Sequence, residues 1–276
     1  MSLIGDLKEE IKELEDLAAV TNSFTEINSI KIRKIRASFE RNRSFYEEVQ
    51  AVYHLVNLYA RRSPRKSRAG TLCLAVTSNS RFYGNLNLMV IDEFQKETQR
   101  IKTDLLIVGR KGIAYANSKK NFPKFEPIRF EKDFPTPDEV GRLAKNVGGY
   151  EKVLVYYPKF LTIFSQKVGS SDITQTIESS EAPERKFEII FEPEVDKMAE
   201  FFSQQMRAVL FTRVMLETDL SWTSARLLSM NESSQKNAAL AKSRRTDLTK
   251  AFKALQNARL LETFSGLGAW KESNRT

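Results

Sequence analysis

Two windows of this 276-residue chain, Asp6 to Arg62 and Glu194 to Ser265, contain neither proline nor glycine. All 8 prolines, Pro64 through Pro193, lie between them, together with 8 of the 11 glycines. Proline costs about 3 kcal/mol and glycine about 1 kcal/mol in a helix interior, so their exclusion predicts one long helix at each end. At about 1.5 Å per residue the windows would reach roughly 85 and 105 Å, beyond the diameter of an ordinary domain. Helical patterns of that length belong to coiled coils, membrane spans or helical repeats. The charge content removes the second option and the lack of internal similarity weakens the third. The expected fold is α/β with long helices: an antiparallel two-helix coiled coil from the terminal segments plus a small Rossmann-like, mostly parallel sheet. The expected boundaries are 1–63, 64–193 and 194–276.

The apolar positions of the first window recur every three or four residues: Leu7, Ile11, Leu14, Leu17, Val20, Phe24 and Ile27. That spacing predicts a left-handed seam. In the last window Met198, Phe201, Phe202, Met206, Val209, Leu210, Val214 and Leu216 form a broader face, suited to a partner helix and to the central domain.

Composition narrows the chemistry. The single cysteine, Cys73, excludes an internal disulfide framework and any multi-thiolate metal site. The single histidine, His54, excludes a histidine cluster, and packing or surface exposure is the plain reading of it. No run of 18 apolar residues is present, and the first residues lack the basic-then-apolar order of a signal peptide. The reading is an intracellular chain that is not a thiol, metal or histidine enzyme, with no cofactor expected.

The middle alternates strand and helix. Leu72 to Val76, Asp104 to Val108 and Lys152 to Tyr157 are buried-strand runs, and Leu161 to Gln166 and Phe187 to Phe191 are strand-like. Leu86 to Ile101 reads as a helix with Asn85 as its cap. Pro137 to Val147 reads as another, capped by Thr136. Ser170 to Glu184 reads as an exposed loop. The turn Thr77 to Asn85 contains one glycine and matches no phosphate-binding loop, which argues against a nucleotide site. Cations gather at Lys31, Arg33, Lys34, Arg36, Arg41 and Arg43, then Arg61, Arg62, Arg65 and Lys66, and again at Lys242, Arg244, Arg245, Lys250 and Lys253. With a net charge of +9, two readings remain open: a nucleic-acid-binding coiled coil, or helix faces that meet solvent or an acidic protein.

Five motifs in the expected order then resemble one family, the γ subunit of F-type ATP synthase. Val20-Thr21-Asn22-Ser23-Phe24 through Lys31-Ile32-Arg33-Lys34 is similar to its I-T-x-A-M-x-M-V-x-x-x-K-[LM]-R-[KR] stretch. Ser78 through Gly84-Asn85-Leu86-Asn87 is similar to S-[DT]-[RK]-G-L-C-G-x-[LF]-N, with Gly84 alone retained of its glycines. Val108-Gly109-Arg110-Lys111-Gly112 is similar to the I-G-x-K-G strand end. Ala225-Arg226-Leu227-Leu228-Ser229-Met230 and Leu260-Leu261-Glu262-Thr263-Phe264-Ser265-Gly266 are similar to A-R-[MR]-x-A-M and L-x-E-I-V-[ST]-G.

The resemblance implies a noncatalytic rotor shaft passing through a hexamer of three α and three β subunits. It implies that the base meets an ε subunit and a membrane c-ring, with the complex peripheral on the cytoplasmic face of the membrane. It nominates Thr21, Phe24, Lys31, Arg33, Lys34, Arg226, Met230, Glu262 and Gly266 as partner-contact residues. The competing readings are the basic nucleic-acid-binding coiled coil and a small-molecule enzyme on the α/β domain.

Overall fold

A computed structural model describes residues 3–59, 68–99, 103–174 and 194–273. In chain order the elements are α1 (Leu3–Tyr59), β1 (Arg68–Val76), α2 (Leu86–Thr98), β2 (Asp104–Val108) and α3 (Arg110–Ser118). They continue with β3 (Glu126–Ile128), α4 (Pro137–Val147), β4 (Tyr150–Thr162), β5 (Ser165–Asp172) and α5 (Val195–Ser273). The chain divides into two compact units. One is formed by the first part of α1, through Ile27, with α5 from Ser229; the other spans Asn28–Leu228.

In the larger unit the strands form one sheet in the order β3-β2-β1-β4-β5, parallel except for the antiparallel β4–β5 hairpin. Strand alternation sends Leu72, Leu74, Val76, Val153 and Val155 to one face, where they meet Val140, Leu143 and Val147 of α4 and Phe211, Met215 and Trp222 of α5. Cys73, Ala75 and Ile107 point the other way, onto Val90, Ile91 and Phe94 of α2 and Ile113 of α3. Both faces are therefore covered, which is why the strand runs read as continuously apolar. Each such side chain, fully buried, contributes on the order of 1.5–3 kcal/mol.

α1 and α5 also pair within this unit. Ile32 and Ile35 pack with Leu216 and Leu220, and Tyr46, Val49 and Tyr53 pack with Met206 and Val209. The Lys31 ammonium lies 2.5 Å from the Asp219 carboxylate. In the smaller unit α1 and α5 run antiparallel. Arg244 pairs with Glu10, Arg245 with Glu15, Ser234 Oγ donates to Asn22 Oδ1, and the Lys8 ammonium sits over the Phe252 ring.

Several expectations need correction. The expected seam drifts off the buried face after Leu14: Leu17, Val20, Phe24 and Ile27 are exposed. The inward positions are Ala18, Thr21, Thr25 and Asn28. Sorting by apolarity kept the large side chains in line and missed that a 3–4 alternation from Ile4 through Leu7, Ile11 and Leu14 lands on small polar residues. Leu161 to Gln166 is not one strand: it holds the end of β4, the two-residue turn at 163–164 and the start of β5, with Thr162 Oγ1 accepting from Ser165 N. Asn85 precedes α2 but its side chain caps nothing. Helix α3 and strand β3 were not anticipated. Thr136 does form a capping box with Glu139, with Pro137 in the first turn. Phe187 to Phe191 lies outside the described residues.

Candidate functional site

In a doubly wound sheet a ligand sits beyond the carboxyl ends of the strands, where the connections diverge, here between β1 and β4. The turn that follows β1 is bonded to its own chain, to α2 and to the segment after β3. Ser78 N donates to Asn87 Oδ1, and the amides of Asn79 and Ser80 both donate to Asp133 Oδ1. Tyr83 OH donates to Asp133 Oδ2 at 2.8 Å. These amides are the donors that a phosphate would need, and a carboxylate from 54 residues away already occupies them. Burial pushes the Asp133 carboxyl up, but hydrogen bonds from Ser80, Tyr83 and Asn79 outweigh it and hold the group below its ordinary range. Burial and the neighbouring carboxylate push the Tyr83 phenol up.

Behind the turn, Tyr83 stacks on the fully buried Trp222 with ring centroids 5.5 Å apart. The Arg226 guanidinium covers the outer side of the Tyr83 ring at 4.4 Å and donates to the Arg81 carbonyl. Tyr83 stands where the resembled motif carries its cysteine, and its ring is buried against Trp222. Asn79 completes the lock by donating to the carbonyls of Phe130 and Lys132 and accepting from Arg110 N.

The glycines of Val108-Gly109-Arg110-Lys111-Gly112 have a packing role. Thr77 Oγ1 donates to Val108 O and accepts from Gly112 N. A Cβ on Gly109 would fall 2.0 Å from the Thr77 carbonyl oxygen, and one on Gly112 would fall 2.3 Å from Thr77 Oγ1. Gly109 also has φ +97°, which side-chain-bearing residues rarely adopt. Among the described residues no group of three or more His, Cys, Asp or Glu could hold a metal ion. Cys73 is buried in the sheet, where burial raises its thiol pKa, and His54 is half-buried on α1.

The nominated residues fall into two sets. Thr21 bonds back to the Leu17 and Ala18 carbonyls on the inward face, Met230 is buried, Lys31 is committed to Asp219, and Arg226 to the Tyr83 ring. Phe24, Arg33, Lys34 and Glu262 are exposed. Gly266 lies in α5, and its surroundings are outside the described residues. Phe24 belongs to an outward stripe with Leu17, Val20 and Ile27, and Leu260, Leu261 and Phe264 of α5 are also exposed. The residues missed from sequence are Asn79, Tyr83, Asp133, Asp219 and Trp222. A strict heptad count would have found the outward stripe; nothing local joins Asp133 to Asn79.

A family model described as ATP synthase matches residues 4–266. The ATP synthase gamma chain of Synechococcus sp. (strain WH7803) is 22% identical, covering 98% of this chain and 99% of its own length. That of Lawsonia intracellularis (strain PHE/MN1-00) is 24% identical, covering 98% of this chain and all of its own. Among solved structures, a chain of the Tetrahymena thermophila mitochondrial ATP synthase central stalk and c-ring is similar in fold. Its TM-score is 0.55 and its identity 18%, over 78% of this chain and 99% of that one.

Proposed function

This chain belongs to the ATP synthase family as a gamma chain, a noncatalytic central-stalk subunit, and from that premise we propose how its surfaces work. The two terminal helices form the shaft inside the α and β subunits of the catalytic hexamer, and the sheet-bearing unit meets the ε subunit and the membrane c-ring. Rotation then presents different faces of an asymmetric shaft to each β subunit and shifts its conformational equilibrium. The observation that carries this reading is the outward apolar stripe Leu17, Val20, Phe24 and Ile27, on a stretch of α1 whose inward positions are Ala18, Thr21, Thr25 and Asn28. Apolar contact is non-directional, so such a face slides within a sleeve without favouring one angle. The exposed cations Arg33 and Lys34 are the proposed contacts to acidic stator loops, with Glu262 and Gly266 at the far end of α5.

The bonded turn supports a role without nucleotide chemistry, since the amides that would cradle a phosphate hold Asp133 instead. No helix among the described residues is long and apolar enough to cross a membrane. Association with the cytoplasmic face of the membrane is therefore proposed to run through the complex. Co-expression with the α and β subunits tests the assignment. We expect co-elution on size-exclusion chromatography and ATP turnover that depends on this chain. A chain that stays monomeric and leaves hexamer turnover unchanged would refute it. DNA affinity that falls steeply with salt, without hexamer binding, would favour the nucleic-acid reading instead.

A further inference from the structure

Strand β3 is the outermost strand of the sheet and is only three residues long. Between it and α3 lies a groove of about 460 Å³, within the size range of small-molecule sites. Ile113 and Ala116 of α3 form its floor. Phe122 and Phe125 of the α3–β3 connection form a wall, their rings edge to face with centroids 5.6 Å apart. Alternation along the strand turns Phe125, Pro127 and Arg129 toward this groove and Ile128 into the cluster on the other face. Every charged residue that lines the groove is a cation: Lys119, Lys124 and Arg129. Lys119 is committed, donating to Asp92 Oδ1 and Gln95 Oε1 of α2. Lys124 and Arg129 are exposed and enter no ion pair among the described residues.

We propose that this groove binds a small organic anion with a flat aromatic body, an aromatic carboxylate, at a site separate from the rotor contacts. The ligand ring lies against Phe122 and Phe125 in the offset or edge-to-face arrangements that aromatic pairs favour. The ligand carboxylate takes the fork of Arg129, which offers two parallel N–H donors, and the point charge of Lys124. The apolar floor sets the affinity for a ring and the two cations set the sign of the charge. A strand from another protein fits this edge poorly, because Pro127 removes a backbone donor and three residues give little to pair with. The ties from Lys119 to α2 fix one wall of the groove before a ligand arrives, so little ordering remains to be done on binding.

Isothermal titration calorimetry of the full chain with 2-naphthoate tests this. Saturable binding of one ligand per chain is expected, weakening as salt screens the exposed cations. Lys124→Gln and Arg129→Gln should each weaken it about tenfold, the worth of one charge-assisted contact. Acetate carries the charge without the ring, and 2-naphthalenemethanol the ring without the charge; each should bind about tenfold or more weakly than 2-naphthoate. The absence of saturable 2-naphthoate binding would overturn the proposal. So would undiminished affinity in the double variant Lys124→Gln, Arg129→Gln, or equal affinity for the neutral alcohol. The two analogues need only the wild-type chain, so they decide the matter even where a variant fails to fold. The assay uses no hexamer: its failure leaves the rotor reading standing, and a failed co-expression leaves the groove.

Discussion

α1 and α5 meet in both units at the same 3–4 spacing but with different side chains. In the larger unit the inward positions are Ile32, Ile35, Tyr46, Val49 and Tyr53 against Met206, Val209, Leu216 and Leu220. In the smaller unit Ala18, Thr21 and Thr25 occupy inward positions of α1, and Ser234, Asn237 and Ala241 occupy those of α5. There the large apolar residues Leu17, Val20, Phe24 and Ile27 stand one position over, facing outward. Spacing alone therefore sets which face turns inward, while side-chain chemistry sets how strongly it holds. The larger unit's seam is apolar throughout; the smaller unit's is apolar at Ile4, Leu7, Ile11 and Leu14 and turns small or polar from Ala18 to Thr25, where the large side chains face outward.

The sharpest way to break this comparison is to truncate each seam in turn. Leu220→Ala removes a buried side chain from the Ile32, Ile35 and Leu216 cluster and is expected to cost about 2–5 kcal/mol. Ser234→Ala removes one side-chain hydrogen bond, to Asn22, and is expected to cost about 1 kcal/mol. Urea denaturation followed by circular dichroism measures both. Equal losses would mean that the two seams hold alike and that the outward stripe is incidental.

The architecture was legible because helix breakers act locally: their exclusion from two windows marks α1 and α5, and Thr136-Pro137 marks the start of α4. The seam was half legible. Leu7, Ile11 and Leu14 announce it, but Thr21 and Thr25 look like surface residues until the heptad is counted through them. The tie between Asp133 and the turn after β1 was not legible at all. Asp133 acts on Asn79 across 54 residues of sequence, and a charged residue in a polar loop has no pattern that says which amides it will meet. Helix α3 was hidden for a related reason: its glycines signal a break in sequence, whereas in space they admit Thr77.

Asp133 supplies the second test, now within the larger unit. Its carboxyl is held below the ordinary value, so it adds stability above the usual carboxylate range, and that stability is lost as pH falls through its folded pKa. Asp133→Asn is expected to cost about 1–2 kcal/mol at neutral pH, the worth of a charge-assisted hydrogen bond at a half-buried site. The difference from wild type should shrink as the medium is acidified below about pH 4. A constant difference from pH 7 to pH 2 would show that the charge on Asp133 does not hold the turn.

The smallest expected effect compares one ion pair from each unit. Asp219 is 7% exposed at its side chain and Lys31 is 40% exposed, whereas Arg245 and Glu15 are 65% and 44% exposed. Removing Lys31 as Met leaves a nearly buried carboxylate without its cation, which we expect to cost about 1–2 kcal/mol once solvent access to Lys31 is discounted. Arg245→Ala leaves Glu15 free to take up water, so its cost should stay near 0.5 kcal/mol and fade at about 1 M salt, where screening shortens to roughly 3 Å. Thermal melts at low and high salt separate the two. If Arg245→Ala proves as damaging as Lys31→Met, and equally so in salt, then the smaller unit is held by its ion pairs and the weak-seam picture of it is wrong.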